Sequence, residues 1–148
     1  MILPIQKGQN NHILRQKARQ VNQITAKIKQ LTLDMIDTVQ ADDNAIGIAA
    51  PQVGQSLRII VVKLDNQILV LINPVIKKTS FRQTTIEEGC LSLPGVSVPV
   101  KRPHKVTIEA LNIEGQLIKI KAKDFLAHVI QHEIDHLDGI LIIDKINE

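Results

Sequence analysis

Apolar residues in segment 20–41 recur at spacings of three and four, which is the period of a helix with one apolar face. The stripe consists of Ile24, Ile28, Leu31, Met35, Ile36 and Val39. Polar residues fill the positions between them, so the pattern predicts an amino-terminal helix on the surface of the molecule. The acidic, small, Pro and Gly residues of segment 42–55 predict a loop or an extended piece in place of further helix.

The middle of the chain consists of short runs of β-branched and aliphatic residues separated by polar ones. Segments 58–64 and 67–72 predict a β-hairpin whose turn is Asp65-Asn66 and whose second strand ends at Asn73-Pro74. Four further strands are predicted at residues 84–88, 96–101, 105–111 and 116–122. Most of this region is therefore expected to form antiparallel sheet.

The last predicted element is a helix that begins at Asp124 and ends at Gly139, two residue types favoured at these ends. One of its faces carries Leu126, Ile130, Ile134 and Leu137, and another carries Phe125, Val129, His132 and His136. A helix that is apolar on two faces is buried on both, so its histidines are expected to point into the protein. Buried imidazoles need polar partners.

Composition narrows the classes of protein. A length of 148 residues fits one domain, residues 1–148, and the core must be aliphatic because Phe81 and Phe125 are the only aromatic residues apart from histidine. The net charge is +3, the lysines are scattered along the sequence, and neither a basic stripe nor aromatic stacking platforms are evident, so direct DNA or RNA readout is not expected. No apolar run has the length of a membrane span, and the amino terminus lacks a basic segment followed by an apolar stretch with a cleavage site, which predicts a soluble intracellular protein.

Residues 132–136 read His-Glu-Ile-Asp-His, the H-E-x-x-H pattern. Histidines four positions apart on a helix present two imidazole nitrogens to one metal ion, and Glu133 lies beside it. The pattern also arises by chance, and its helical, buried setting favours the metal site. Catalytic sites of this kind take three protein ligands, so one more must lie elsewhere. Cys90 is the candidate, although a lone cysteine is more commonly a small buried hydrophobic residue.

Three segments resemble the signature motifs of peptide deformylases, in the family's order. They are Ala-Ile-Gly-Ile-Ala-Ala-Pro-Gln at 45–52, Glu-Gly-Cys-Leu-Ser at 88–92 and Gln-His-Glu-Ile-Asp-His-Leu-Asp-Gly at 131–139. A weaker likeness covers nearly the whole chain. The resemblance implies an α+β fold, with mostly antiparallel β-sheets packed around a central carboxy-terminal metal-binding helix and one amino-terminal surface helix.

The resemblance also implies an activity, the hydrolysis of the N-formyl group from the formyl-methionine of new polypeptides with release of formate. It assigns Cys90, His132 and His136 as ligands of one divalent metal ion, Fe2+ natively, with Zn2+, Ni2+ or Co2+ able to substitute. Glu133 is then the general base and acid, and the side chain of Gln52 and the backbone N–H of Leu91 stabilise the oxyanion.

The peptide substrate is expected to lie along exposed backbone, with Ile46 and Gly47 on one side and Gly89 on the other. The methionine side chain is expected in an apolar pocket lined by Ile86, Phe125 and Val129, which could equally be core residues. His128 is either a further pocket residue or a structural hydrogen-bonding group. Glu88 is, by position only, a candidate hydrogen-bond partner of a ligating histidine.

The expected partners are nascent formyl-methionyl peptides and, as a further candidate, the ribosome surface, for a monomer of the bacterial cytoplasm or of an organelle if the source is eukaryotic. DNA and membranes are not expected partners. Two departures from the family pattern are Ala45 in place of a glycine, which should add a methyl near the substrate cleft, and an ending nine residues after Gly139. Rival interpretations are a zinc peptidase, whose third ligand is usually His or Glu, and a metal-binding module without activity.

Overall fold

The computed structural model describes residues 1–146. The helices in this part of the chain are α1 (His12–Arg15), α2 (Ala26–Gln40) and α3 (Asp124–Leu137), and 3-10 turns lie at Ala50–Val53 and Ile142–Lys145. The strands are β1 (Gly47–Ala49), β2 (Ile59–Leu64), β3 (Gln67–Thr79), β4 (Gln83–Cys90), β5 (Leu93–Pro103), β6 (Lys105–Leu111) and β7 (Leu117–Lys123). None of the helices between residues 1 and 146 is long and apolar enough to cross a membrane.

The strands form two antiparallel sheets. Five of them pair in the order β1-β2-β3-β6-β7, and β4 and β5 form a separate two-stranded hairpin. The predicted fold class, an α+β arrangement of mostly antiparallel sheet with a central carboxy-terminal helix, is confirmed.

Strand β2 of the large sheet is covered on both of its faces. Ile59 and Val61 are buried in a layer with residues of α2, whereas Ile60 and Val62 are buried in a layer with residues of α3. Successive side chains of a strand point to opposite faces, so an uninterrupted apolar run is what a strand covered on both faces requires. This part of the sheet therefore lies between the two longer helices.

Helix α3 lies between the large sheet and the hairpin. Its residues Ala127, Ile130 and Leu137 are fully buried against the large sheet, and its other side contacts β5. The helix ends before Gly139, which has a φ of 75° and whose Cβ, if present, would lie 2.5 Å from the carbonyl oxygen of Arg15. Only glycine tolerates both this φ and this close contact. The end of α3 therefore packs directly against the end of α1.

The element boundaries differ from the sequence predictions where side chains bind distant backbone. Helix α2 begins at Ala26 and not near residue 20, because Thr25 caps it and the preceding segment is held to the sheet through Val21. The side-chain Oδ1 of Asn73 accepts the backbone N–H of Val21, and its Nδ2 donates to the backbone carbonyl of Val21, both at 2.8 Å. Strand β3 continues past Pro74 to Thr79, since a register irregularity between Ile72 and Val75 accommodates the proline.

Segment 42–55 contains the short strand β1, which pairs with β2, and a 3-10 turn, so the predicted loop or extended piece in place of further helix is confirmed. The prediction for the start of α3 needs correction. Asp124 is the first residue of α3, but it has a φ of 56° and the helix has no side-chain cap, so its expected capping role is wrong. The four-residue helix α1 was not predicted, since it is too short for a periodic pattern.

Candidate active site

Three potential metal ligands converge between α3 and the hairpin. His132 and His136 lie on successive turns of α3, and Cys90 ends β4 at a register shift that follows Gly89. One ligand atom from each residue lies within 4.8 Å of the other two. The Sγ atom of Cys90 is 3.3 Å from Nε2 of His136. Both histidines are buried, as their helical face predicted.

A hydrogen bond from Glu88 orients the imidazole ring of His132. Its Oε1 is 2.9 Å from Nδ1 of His132, which leaves Nε2 of that ring for the three-ligand group. Oε2 of Glu88 is 3.2 Å from Nδ1 of His128. Arg102 donates to both oxygens of Glu88, at 2.7 and 3.0 Å, and to Asp135 at 2.6 Å. Burial raises the pKa of Glu88, but these hydrogen bonds outweigh it and hold the pKa at about 2.

The donor set fits a divalent metal ion. One thiolate and two neutral imidazoles are ligands that Zn2+ and Fe2+ accept. Burial lowers the pKa of His136 well below its ordinary value and keeps this imidazole neutral, which is the ligating form. For His132 the charge of Glu133 and the hydrogen bonds to Cys90 and Glu88 outweigh burial and raise the pKa to about 10. These surroundings favour positive charge where the three ligand atoms meet.

Glu133 follows His132 on α3 and lines the same cavity as His132 and Cys90. It is buried, and its Oε1 has no hydrogen-bond partner among residues 1–146. Burial raises its pKa to about 7, which suits a group that both accepts and returns a proton. A Cβ on Gly47 would lie 2.7 Å from Oε2 of Glu133, so the lack of a side chain lets β1 approach the carboxylate.

Gln52 is held with its NH2 group toward the ligand group. Gln52 follows Pro51 in the 3-10 turn Ala50–Val53, and its side chain is buried. Oε1 accepts the Ala49 N–H at 2.9 Å, so Nε2 must face the other way. Nε2 donates to Oγ of Ser92 at 3.2 Å and lies 3.7 Å from Sγ of Cys90. The amide therefore keeps a donor beside the proposed ligands.

Cys90 and His132 line one open cavity of about 650 Å³. Every predicted catalytic and substrate-binding residue contributes to its wall. They are Ile46, Gly47, Gln52, Ile86, Gly89, Leu91, Phe125, Val129 and Glu133. His128 also lines the cavity, and its Nε2 is 2.9 Å from Oγ1 of Thr84, so it is both a wall residue and a structural hydrogen-bonding group.

Other residues of the cavity were not foreseen. Ile5, Lys7, Asp42 and Asn44 line one end of it, and no pattern in the sequence singles them out. Arg102 was also missed, although an arginine two positions after the buried Val100 of a strand is a signal for a buried ion pair. Ala45 does not line the cavity. Its side chain is buried in the layer beneath α2, so the expected methyl near the cleft is wrong.

The model of the polypeptide deformylase family matches residues 2–148. The chain belongs to the polypeptide deformylase family. It is 50% identical over 133 residues to the peptide deformylase of Dictyoglomus thermophilum, which covers 90% of this chain and 86% of that protein. The family identification made from the three motifs is confirmed.

Solved structures agree with this membership. The peptide deformylase of Thermotoga maritima superposes with a TM-score of 0.94 at 33% identity, covering 100% of this chain and 99% of that one. A class I type b peptide deformylase from Acinetobacter baumannii, solved with Met-Ala-Ser bound, has a TM-score of 0.93 at 33% identity, covering 99% of each chain. Peptide deformylases are hydrolases, so the predicted enzyme class is confirmed and the zinc peptidase interpretation is wrong.

Proposed function

We propose that this deformylase family member hydrolyses the N-formyl group of formyl-methionyl peptides and releases formate. The observation that carries the proposal is the arrangement around one cavity. A carboxylate with raised pKa (Glu133) and an oriented amide (Gln52) line one cavity of about 650 Å³ together with two members of the three-ligand group, Cys90 and His132. General base, oxyanion donor and metal ligands are the three components that metal-assisted amide hydrolysis requires.

Cys90, His132 and His136 are the residues that would hold the metal ion, and each has a defined neighbour. His132 presents Nε2 because its Nδ1 is engaged by Glu88, and His136 presents Nε2 toward Cys90. A divalent ion held there supplies Lewis-acid activation of water and of the formyl carbonyl. A fourth Cys, His, Asp or Glu is not part of the group within residues 1–146, an arrangement typical of catalytic sites.

Glu133 moves the proton. Near neutral pH a carboxyl group whose pKa is about 7 is present in both forms. As the carboxylate it accepts a proton from the attacking water, and as the acid it returns that proton to the nitrogen of the departing amine. Its unpartnered Oε1 faces no competing hydrogen bond from residues 1–146. One side chain therefore serves both steps.

Gln52 and Leu91 stabilise the negative charge that develops on the formyl oxygen. The Nε2 group of Gln52 is fixed before substrate arrives, because its Oε1 is bound to the Ala49 N–H and its Nε2 donates to Ser92. Leu91 follows Cys90 directly and lines the same cavity, which supports its backbone N–H as the second donor. Donors that need no reorganisation lower the barrier most effectively.

The substrate is proposed to lie between β1 and β4. Strand β1 is an edge of the large sheet, so its outer backbone groups are available to an added strand, with Ile46 and Gly47 on one side of the cleft and Gly89 on the other. The methionine side chain enters the part of the cavity lined by Ile86, Phe125 and Val129. The bound Met-Ala-Ser of the Acinetobacter baumannii relative supports a peptide occupant.

Further parts of the proposal concern the setting of the enzyme. We propose Fe2+ as the native ion, because the Cys-His-His donor set accepts it and availability decides among similar divalent ions. We propose a monomer that acts in the bacterial cytoplasm on nascent peptides, with the ribosome surface as a candidate partner. Metal analysis after anaerobic purification tests the ion, and light scattering tests the monomer.

The activity is tested with blocked and free peptides. The protein, stripped of metal and reloaded anaerobically with Fe2+, is assayed for formate release from formyl-Met-Ala. Acetyl-Met-Ala should be a much poorer substrate, and free Met-Ala-Ser should not be cleaved. Turnover confined to the reloaded protein and the formyl peptide supports the proposal. Tight peptide binding without turnover in fully loaded protein would instead indicate a metal-binding homologue without activity.

A further inference from the structure

A cluster of lysines lies on the outer face of the large sheet, away from the cavity. We call it the lysine face and define it as Lys78, Lys105, Lys121 and Lys123, from β3, β6 and β7. All four side chains are exposed. They border a groove of about 460 Å³, whose lining also includes the hydroxyl groups of Thr79, Ser80 and Thr107. The described lining residues of this groove include no acidic side chain.

The pairing register explains why residues far apart in sequence meet here. Thr107 lies opposite Lys78 on one side and Lys121 on the other, and Lys105 lies opposite Lys123. The alternate residues Val106 and Ala122 are buried in the core, so the lysines all point outward. Lysines that are scattered in the sequence therefore lie together in one basic patch.

This patch is electrostatically unfavourable without a partner. Like charges directly opposite each other on neighbouring strands destabilise a sheet, and Lys105 and Lys123 form such a pair. None of the four ammonium groups forms an ion pair with an acidic residue among residues 1–146. Lys119 differs, since Glu109 lies opposite it. A bound polyanion would relieve the repulsion between the unpaired lysines.

An exposed aromatic residue lies next to the groove along the chain. Phe81 is fully exposed, at 104% of its reference area. It follows Ser80, which lines the groove and is tied to Lys105 by two hydrogen bonds, Ser80 N–H to the Lys105 carbonyl at 2.9 Å and Lys105 N–H to Ser80 Oγ at 3.0 Å. A basic groove with an adjacent exposed ring is the combination by which proteins hold single-stranded nucleic acid without reading its sequence.

We propose that the lysine face binds the phosphate backbone of single-stranded RNA and that Phe81 stacks on one of its bases. An anionic membrane also attracts lysines, but it favours a broad apolar surface, whereas this site is a groove whose lining includes three hydroxyl-bearing residues and is followed along the chain by the exposed Phe81. Hydroxyl groups and lysines are common ligands of phosphate oxygens. The proposal is independent of the hydrolytic function, since none of these residues lines the active-site cavity.

Binding is measured by fluorescence anisotropy with a short labelled oligouridylate and the metal-loaded full-length protein. Removing two phosphate contacts in Lys105→Gln/Lys123→Gln should weaken binding at least tenfold at low salt. The slope of log K against log salt, between roughly 50 and 200 mM, should fall by about 1.4, since each contact to a single strand contributes about 0.7. Phe81→Ala should weaken binding about tenfold, the loss expected for one base–aromatic stack.

Two matched variants control for charge and for exposed apolar area. Lys17→Gln/Lys29→Gln removes the same charge from exposed positions outside the lysine face, and Leu33→Ala removes an exposed apolar side chain from α2. Both should bind RNA like the unchanged protein. All variants should keep the hydrolytic turnover of the unchanged protein, which shows that they fold.

Three results would overturn the proposal. The first is no RNA binding at low salt, and the second is equal weakening in the control and lysine-face variants. The third is that phosphatidylserine-rich vesicles bind with the same dependence on Lys105, Lys123 and Phe81 while the oligouridylate does not. That outcome would assign the surface to a membrane.

Discussion

Arg102 donates two buried hydrogen bonds to Glu88, from Nε to Oε2 at 2.7 Å and from Nη2 to Oε1 at 3.0 Å. Both side chains are less than one-tenth exposed. The same carboxylate bonds Nδ1 of His132, so the position of the proposed metal ligand depends on an arginine that does not itself reach the ligand group. Partners of this kind fix the ring orientation and raise the affinity of the ligand for metal.

Replacing Arg102 by Lys should therefore weaken metal binding. Lysine keeps the positive charge but cannot donate to both oxygens of Glu88 in one plane. Metal affinity should fall about 10- to 100-fold, the usual loss when such a partner is changed. Competition with a fluorescent chelator measures it, with the exposed Arg19→Lys as the control. Unchanged metal affinity in Arg102→Lys would mean that metal binding does not depend on the two hydrogen bonds from Arg102 to Glu88.

Gly47→Ala tests the close approach of β1 to Glu133. The new Cβ would lie 2.7 Å from Oε2, so the carboxylate must move. A displacement of about 1 Å at a catalytic group costs on the order of a hundredfold in rate, and we expect that loss in kcat with metal content unchanged. A kcat within a factor of about two of the original, at full metal content, would show that the position of Glu133 is not critical.

Gln52→Ala should lower kcat by about 100- to 1,000-fold, the usual effect of losing one oxyanion donor, while KM changes little. Because Gln52 also binds the Ala49 N–H, thermal unfolding is measured alongside the kinetics. A variant that melts normally and loses rate supports the proposed role. If instead KM rises while kcat is kept, Gln52 binds substrate and does not stabilise the transition state.

The low pKa of Glu88 links stability to pH. The folded value of about 2 lies below the ordinary 4.5, so the ionised carboxylate stabilises the fold fully above about pH 4.5. This stabilisation is lost as the pH falls toward 2. Urea unfolding of metal-free protein should show the free energy of unfolding falling over this pH range. The variant Glu88→Gln/Arg102→Met removes both partners of the ion pair, so its free energy of unfolding should depend less steeply on pH. The same pH dependence of the free energy of unfolding in both proteins would contradict a low pKa of Glu88.

Sequence periodicity predicted most of the fold because each element buries one side. Strand β6 was predicted with its observed bounds, since Val106, Ile108 and Ala110 alternate with more exposed residues. The start of α2 was not, because the side chain of Asn73 holds Val21 in the preceding segment to the sheet. A hydrogen bond between residues 52 positions apart leaves no local pattern.

The same distinction applies to the site. Each motif carries its own residues, so the ligand group, Glu133 and Gln52 could be named in advance, and Glu88 could be suggested by position. Arg102 and the lysine face could not, because their meaning depends on which strands are neighbours. Alternating lysines at 119, 121 and 123 were the one local sign of a basic surface.

The central claim is that Glu133 transfers the proton in a metal-assisted deformylation. The most direct test compares formate release from formyl-Met-Ala by the unchanged protein, Glu133→Gln and the exposed control Glu114→Gln, each with equal metal content. We expect Glu133→Gln to lose at least a hundredfold in kcat, within the range for removal of a general base, and Glu114→Gln to lose nothing. Full turnover by metal-loaded Glu133→Gln would contradict the account.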